Sequence, residues 1–205
     1  MKLNVIFLIY LFSLSLSLNA QDYNSVDEVD GRAIGDRLEH FSLLTLGAGE
    51  VSFDELLIKN EFLVIVFYRG QWCPVCNKHL SHINEKYAAI KNLDAQLMAI
   101  SPEKPDYQSE TQAKTGAEFL LGYDENYELA KAFDILYQPD KAKRNLYNAA
   151  LDANLKKAHS DKSQRLPVPA TFILNKKREI IWRQFDRNYK NRSSVKEIIK
   201  ALKNA

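Results

Sequence analysis

Apolar positions along the chain fall into short runs separated by amphipathic stretches. Phe62–Tyr68 is continuously apolar, rich in valine and isoleucine, and bounded by Asn60-Glu61 and Arg69-Gly70. That length and β-branching predict a buried central strand. Cys76–Leu93 follows with Leu80, Ile83, Tyr87 and Ile90 at spacings of three and four, one apolar face of a helix. Gln96–Ser101 predicts a second strand, ended by Pro102. Tyr107–Thr115 predicts a helix stopped by Gly116, Phe119–Leu121 a brief strand, and Glu125–Phe133 another helix. Upstream, Phe41–Leu46 alternates partly and precedes the turn residues Gly47-Ala48-Gly49. Ser52 and Glu55 have the spacing of a capping box for a short helix.

The second half keeps the pattern after one interruption. Gln138–Arg165 is long, basic and polar, with Leu146, Leu151 and Leu155 as its expected anchors, and reads as an insertion of helical turns and loop. Ala170–Leu174 and Glu179–Phe185 predict strands joined by a hairpin turn at Asn175–Arg178. Ser194 precedes a terminal helix with Val195, Ile198, Ile199 and Leu202 on one face. Strands alternating with helices, then a hairpin and a last helix, give an α/β sandwich with a mixed sheet.

Met1–Ala20 changes the picture at the N-terminus. Lys2 is its one charge, and Val5–Leu18 is apolar apart from serines. Asn19-Ala20 then precede the polar Gln21-Asp22, the pattern of a secretory signal peptide. A membrane anchor is the rival reading, but the apolar stretch is short for a span and lacks a basic flank after it. The expectation is an exported chain, periplasmic or secreted, with a loose polar leader over residues 21–34 and one domain over residues 35–205. The full chain carries 28 Lys and Arg against 26 Asp and Glu. That balance does not call for nucleic acid, or for a membrane surface once the signal is removed.

Candidate chemistry concentrates in Trp72-Cys73-Pro74-Val75-Cys76, which holds both cysteines of the chain at a predicted strand-to-helix junction. Thiolate is the reactive form, and a helix N-terminus favours it at Cys73. Pro74 suits the first helical turn, where a missing N–H costs nothing. In a Cys-x-x-Cys pair, the second thiol resolves the mixed disulfide formed by the first. Trp72 is expected to shield one side and offer a flat face to a partner. A permanent disulfide is the structural alternative, although so small a loop adds little chain-entropy stabilisation. A metal site would recruit His79 and His82, which otherwise read as residues of an amphipathic helix surface. His40 and His159 bear no spacing relation to the pair. No cofactor or metal is expected.

The string Phe67-Tyr68-Arg69-Gly70-Gln71-Trp72-Cys73-Pro74-Val75-Cys76 resembles the active-site segment of the peroxiredoxin-like branch of the alkyl hydroperoxide reductase / thiol-specific antioxidant family. Further matches are Gly35-Asp36, Ser101-Pro102-Glu103, Ala130–Phe133, Leu166–Phe172 and Phe185–Tyr189. The resemblance implies a thioredoxin-like fold from about Gly35 to the C-terminus. It also implies that Pro169 is held in cis opposite the active-site helix, with the Val168 backbone free to pair with a bound substrate. Two departures matter. Aligning Cys76 with the family's peroxide-reacting cysteine puts Cys73 where Thr or Ser is expected, and Pro169 where an arginine is expected. Arg69 and Arg165 are the candidate substitutes. Thioredoxin's buried aspartate is replaced by Phe67, and Glu103 is the nearest candidate acid.

Three functions follow from these residues. One is an exported thiol–disulfide oxidoreductase, with Cys73 the exposed nucleophile and Cys76 the resolving thiol. The second is a thiol peroxidase that reduces hydroperoxides. The third is a non-enzymatic domain holding a metal or a static disulfide. The implied partners are a thiol reductant or a disulfide-bearing protein, together with a hydroperoxide in the second case.

Overall fold

A computed structural model describes residues 25–205. The expected signal peptide at Met1–Ala20 lies outside the described residues. The strands are β1 (Ser42–Thr45), β2 (Gly49–Ser52), β3 (Phe62–Phe67), β4 (Ala95–Ser101), β5 (Leu120–Tyr123), β6 (Leu136–Tyr137), β7 (Leu166–Pro167), β8 (Thr171–Leu174) and β9 (Ile180–Gln184). The helices are α1 (Phe53–Lys59), α2 (Pro74–Asn84), α3 (Tyr87–Lys91), α4 (Pro105–Thr115), α5 (Glu128–Ala132), α6 (Lys141–Ala150), α7 (Leu155–Ala158) and α8 (Val195–Lys203). Seven strands form a mixed sheet in the order β2-β1-β5-β4-β3-β8-β9, and β6 and β7 form a separate two-stranded ladder. Helices flank the sheet in the thioredoxin-like arrangement.

The central position of β3 follows from its sequence. It pairs parallel with β4 and antiparallel with β8, and Leu63–Val66 are wholly buried. Burying each such side chain contributes about 1.5–3 kcal/mol. Leu80, Ile83, Tyr87 and Ile90 are all buried, as their spacing predicts. The expected helix over Cys76–Leu93 is nevertheless two helices, broken at Glu85-Lys86. The Asn84 side chain there donates to the Gly116 carbonyl and accepts from the Glu118 N–H, tying the end of α2 to the turn before β5. Gly116 caps α4 in the left-handed conformation. Ser194 and Glu197 form a reciprocal capping box on α8.

Two expectations fail for reasons of long-range pairing. The leader is docked rather than loose over residues 25–34. Val29 is fully buried, and the Gly31 and Arg32 N–H groups donate to the Asp134 and Phe133 carbonyls. Arg183 and Arg187 supply donors to leader carbonyls in return. In the insertion, Leu155 is buried but Leu146 is 57% exposed; Tyr147 is the one buried residue of α6. Helix α6 therefore turns its aromatic residue inward and its leucine to solvent.

Candidate active site

The sheet delivers the motif to its end. Tyr68 N–H still pairs with the Ile100 carbonyl, after which the chain turns over Arg69–Trp72. Gly70 lies at φ 153°, and a Cβ there would overlap the Glu103 carboxyl and lie 2.6 Å from Trp72 Nε1. Glycine is required by that approach. The Cys73 N–H closes the turn on the Gly70 carbonyl, and Cys73 becomes the N-cap of α2 with Pro74 in its first turn. Asn77 ties the helix back to the turn by donating to the Gln71 carbonyl at 2.7 Å.

Both cysteines are free and fully buried, with Sγ atoms 2.6 Å apart. Cys73 Sγ accepts from the Cys76 N–H at 3.4 Å and from Arg69 Nη2 at 3.2 Å. Arg192 Nη2 stands 3.6 Å from Cys76 Sγ. The two sulfurs are thus flanked by two guanidinium groups. Burial raises the Cys76 thiol, but the hydrogen bond from Cys73 and the charges of Arg192 and Arg69 outweigh it and hold Cys76 well below its ordinary value. The hydrogen bond to Cys76, and then burial, push Cys73 far up. The pair is therefore set up to lose its first proton readily under the charges of Arg69 and Arg192, with the shifts favouring ionisation at Cys76.

Aromatic rings close over this charge. The Arg69 guanidinium carbon lies 4.1 Å from the Tyr189 ring, 5.0 Å from Trp72 and 5.3 Å from Tyr147. Arg69 Nη1 donates to the Tyr147 hydroxyl at 3.2 Å, and the Tyr147 and Trp72 rings lie 4.8 Å apart. Beneath the turn, Glu103 is fully buried. Its Oε2 accepts the Gln71 N–H at 2.7 Å, while Oε1 has no partner. Burial, opposed by that hydrogen bond and reinforced by the Cys76 charge, raises Glu103 to about 8. Burial thus favours the protonated form of this carboxyl.

The structure thus brings together Cys73, Cys76, Trp72, Pro74, Arg69 and Glu103, and corrects several expectations about them. Cys73 is not exposed, because Arg69 and the rings above it cover the pair. Trp72 is buried under Tyr147 and offers no flat face to a partner. The described residues contain no cis peptide bond, so Pro169 is trans. Its segment is held extended by β6–β7 pairing of Leu136 with Pro167, and the Val168 N–H is taken by the Ile135 carbonyl at 2.7 Å. The Val168 N–H is accordingly not free to pair with a substrate. Pro169 does lie beside the end of β3, since the Phe67 N–H donates to the Ala170 carbonyl.

Of the two candidate arginines, Arg69 reaches the pair. Arg165 acts on Tyr127 and Asp161 instead. Sequence reasoning missed Arg192 and Tyr147. Arg192 lies in the loop before α8, two residues ahead of a cap, and nothing in the sequence signals its reach. His79 Nε2 bonds the Ser193 carbonyl at 2.9 Å and His82 is exposed. Neither joins the cysteines, and the described residues contain no cluster of metal-binding side chains.

Comparison with known proteins gives a consistent picture. The sequence pattern of the AhpC/TSA family matches residues 34–183. Peroxiredoxin Bcp of Bacillus subtilis (strain 168) is 27% identical over 77 residues, which is 38% of this chain and 49% of that protein. The match thus spans about half the length of this relative. Peroxidoxin BcpB from Mycobacterium tuberculosis superposes with a TM-score of 0.63 at 15% identity, covering 83% of this chain and 96% of that one. A mutant of Xylella fastidiosa PrxQ gives 0.64 at 20% identity, with 85% and 98% covered. Enterococcus faecalis AhpC gives 0.62 at 19% identity, with 83% and 90% covered. At these identities the solved structures speak to the fold alone. The family match, which runs through the Arg69–Cys76 turn, establishes that the chain belongs to the AhpC/TSA family.

Proposed function

We propose that this protein is a thiol-dependent peroxidase in which Cys76 reacts with hydroperoxide and Cys73 resolves the product. One observation carries the reading: two free sulfurs 2.6 Å apart in an enclosed site, with the Arg192 guanidinium beside Cys76 and the Arg69 guanidinium beside Cys73, charges that favour a thiolate in the pair. The Cys76 thiolate attacks the terminal oxygen of ROOH. The S–O bond forms, the O–O bond breaks, and the departing RO⁻ takes a proton to leave as ROH. Guanidinium groups stabilise the negative charge as it moves from sulfur to the leaving oxygen. Cys73 then attacks the Cys76 sulfenic acid, its thiol proton joins the departing hydroxide as water, and a Cys73–Cys76 disulfide forms. A dithiol reductant returns the pair to two thiols and becomes a disulfide itself.

The two arginines support this function despite the departures at Cys73 and Pro169. They supply, from other points of the chain, the positive charge that the family's own arginine would give. Thiol–disulfide exchange with another protein is the second reading. It draws on the Cys-x-x-Cys spacing at the start of α2, and is opposed by the burial of both sulfurs. The proposal includes work outside the cytoplasm, resting on the apolar Val5–Leu18 segment. Stopped-flow mixing of the reduced protein with hydrogen peroxide tests the function. Oxidation far faster than that of a free cysteine is expected, and a rate no faster overturns the peroxidase reading.

A further inference from the structure

Helix α6 raises a question of purpose. Ten residues of the Gln138–Arg165 segment form a helix whose single buried side chain is Tyr147. Leu146 beside it faces solvent. A helix packed for stability buries a stripe of apolar residues. This one buries one ring, and that ring lies on the active site. Tyr147 stacks on Trp72 at 4.8 Å, and its hydroxyl accepts from the same Arg69 guanidinium that donates to Cys73 Sγ. The rest of α6 is held by polar contacts at its edges. Asp140 caps it, and Asn148 links to Gln164 and to the Leu155 N–H.

We propose that Tyr147 is the specificity-determining residue of the peroxidase site, admitting hydrogen peroxide to Cys76 and rejecting hydroperoxides that carry a bulky organic group. The inference rests on the peroxidase reading given above. With both sulfurs fully buried, any substrate must enter by displacing part of the cover. Hydrogen peroxide is little larger than water, so small side-chain motions of the Tyr147–Trp72 pair admit it. A cumyl or lipid group requires the Tyr147 ring to leave, which breaks the stack, its contact with the Arg69 charge and the hydrogen bond to Arg69 together. Discrimination by pocket shape of this kind is worth about 10–200-fold.

The test compares oxidation rates of the reduced protein by hydrogen peroxide and by cumene hydroperoxide in wild type, Tyr147→Ala and Tyr147→Phe. Wild type should favour hydrogen peroxide by about tenfold or more beyond the preference of a free thiol. Tyr147→Ala should remove most of that preference by raising the cumene hydroperoxide rate. Tyr147→Phe keeps the ring and should keep the preference. A ratio unchanged in Tyr147→Ala, or a wild type without preference, overturns the inference while leaving the peroxidase reading in place. A wild type inert to both peroxides overturns both.

Alkylation supplies a readout independent of turnover. In the reduced wild type, iodoacetamide should react and a bulky maleimide should not. Tyr147→Ala should admit both, with a circular dichroism spectrum that matches wild type. Equal exclusion of the maleimide in Tyr147→Ala also overturns the inference.

Discussion

Replacing Arg192 by Met removes a charge from Cys76 while keeping an apolar stem of similar length. The guanidinium stands 3.6 Å from the sulfur. At that distance, unit charges interact by about 1 kcal/mol in bulk water and by about 4–5 kcal/mol at an effective dielectric constant near 20. Arg192 is partly exposed, with a buried Nε, so the value lies between these limits, at about 2 kcal/mol. That corresponds to a rise of about 1.5 pK units for the first thiol to ionise. The assay is a pH titration of the reduced protein by thiolate ultraviolet absorbance, paired with the pH dependence of peroxide oxidation. The titration midpoint should move up by about one unit or more, and the oxidation profile should move with it, recovering at alkaline pH. Arg192→Lys should fall between wild type and Arg192→Met. A folded Arg192→Met protein whose midpoint and profile coincide with wild type would rule out Arg192 as a counter-ion and leave that role to Arg69 alone.

Three other outcomes follow from the same geometry. Glu103 is raised from 4.5 to about 8, so the native state retains a proton that the unfolded chain releases above 4.5. Stability therefore falls as pH rises through that window, by about 4–5 kcal/mol at most. Glu103→Gln should flatten the fall in urea unfolding measured across pH, and profiles that stay parallel would exclude the buried acid as its cause. Gly70→Ala forces a Cβ onto the Glu103 carboxyl and should cost about 2–4 kcal/mol in the same assay; a change under about 0.5 kcal/mol would contradict the close approach. Leu146→Lys, by contrast, should shift stability by no more than about 0.5 kcal/mol, since the side chain is 57% exposed. A loss of several kcal/mol would show that α6 packs by its leucine after all.

What the sequence revealed, and what it hid, divides by range. Phe62–Phe67 announced a central strand because continuous β-branched residues suit burial on both faces. Gly116 and Ser194 marked helix ends because capping is a local matter of backbone donors and acceptors. The Cys73–Cys76 turn was legible for the same reason, since its residues lie within one helical turn. Long-range pairings were not legible. Arg192 reaches Cys76 across 116 residues of sequence, and Arg69 reaches the Tyr147 hydroxyl across 78. The reversal of Leu146 and Tyr147 has the same origin: hydrophobicity favours burying leucine, and an arginine beneath the helix favours the ring with a hydroxyl. Pro169 shows a related failure. Its neighbour Val168 is fixed by the Ile135 carbonyl, a partner that no reading of the Leu166–Phe172 string could supply.

The proposed chemistry turns on Cys76, not Cys73, carrying the reactive thiolate. To test this, the reduced Cys73→Ser and Cys76→Ser proteins are exposed separately to one equivalent of hydrogen peroxide, sulfenic acid is trapped with dimedone, and each adduct is followed by intact-mass spectrometry. Rapid single labelling of Cys76 in Cys73→Ser, with slow or absent labelling in Cys76→Ser, is the predicted result. Rapid labelling of Cys73 in Cys76→Ser, with Cys76 inert in the other protein, would contradict it.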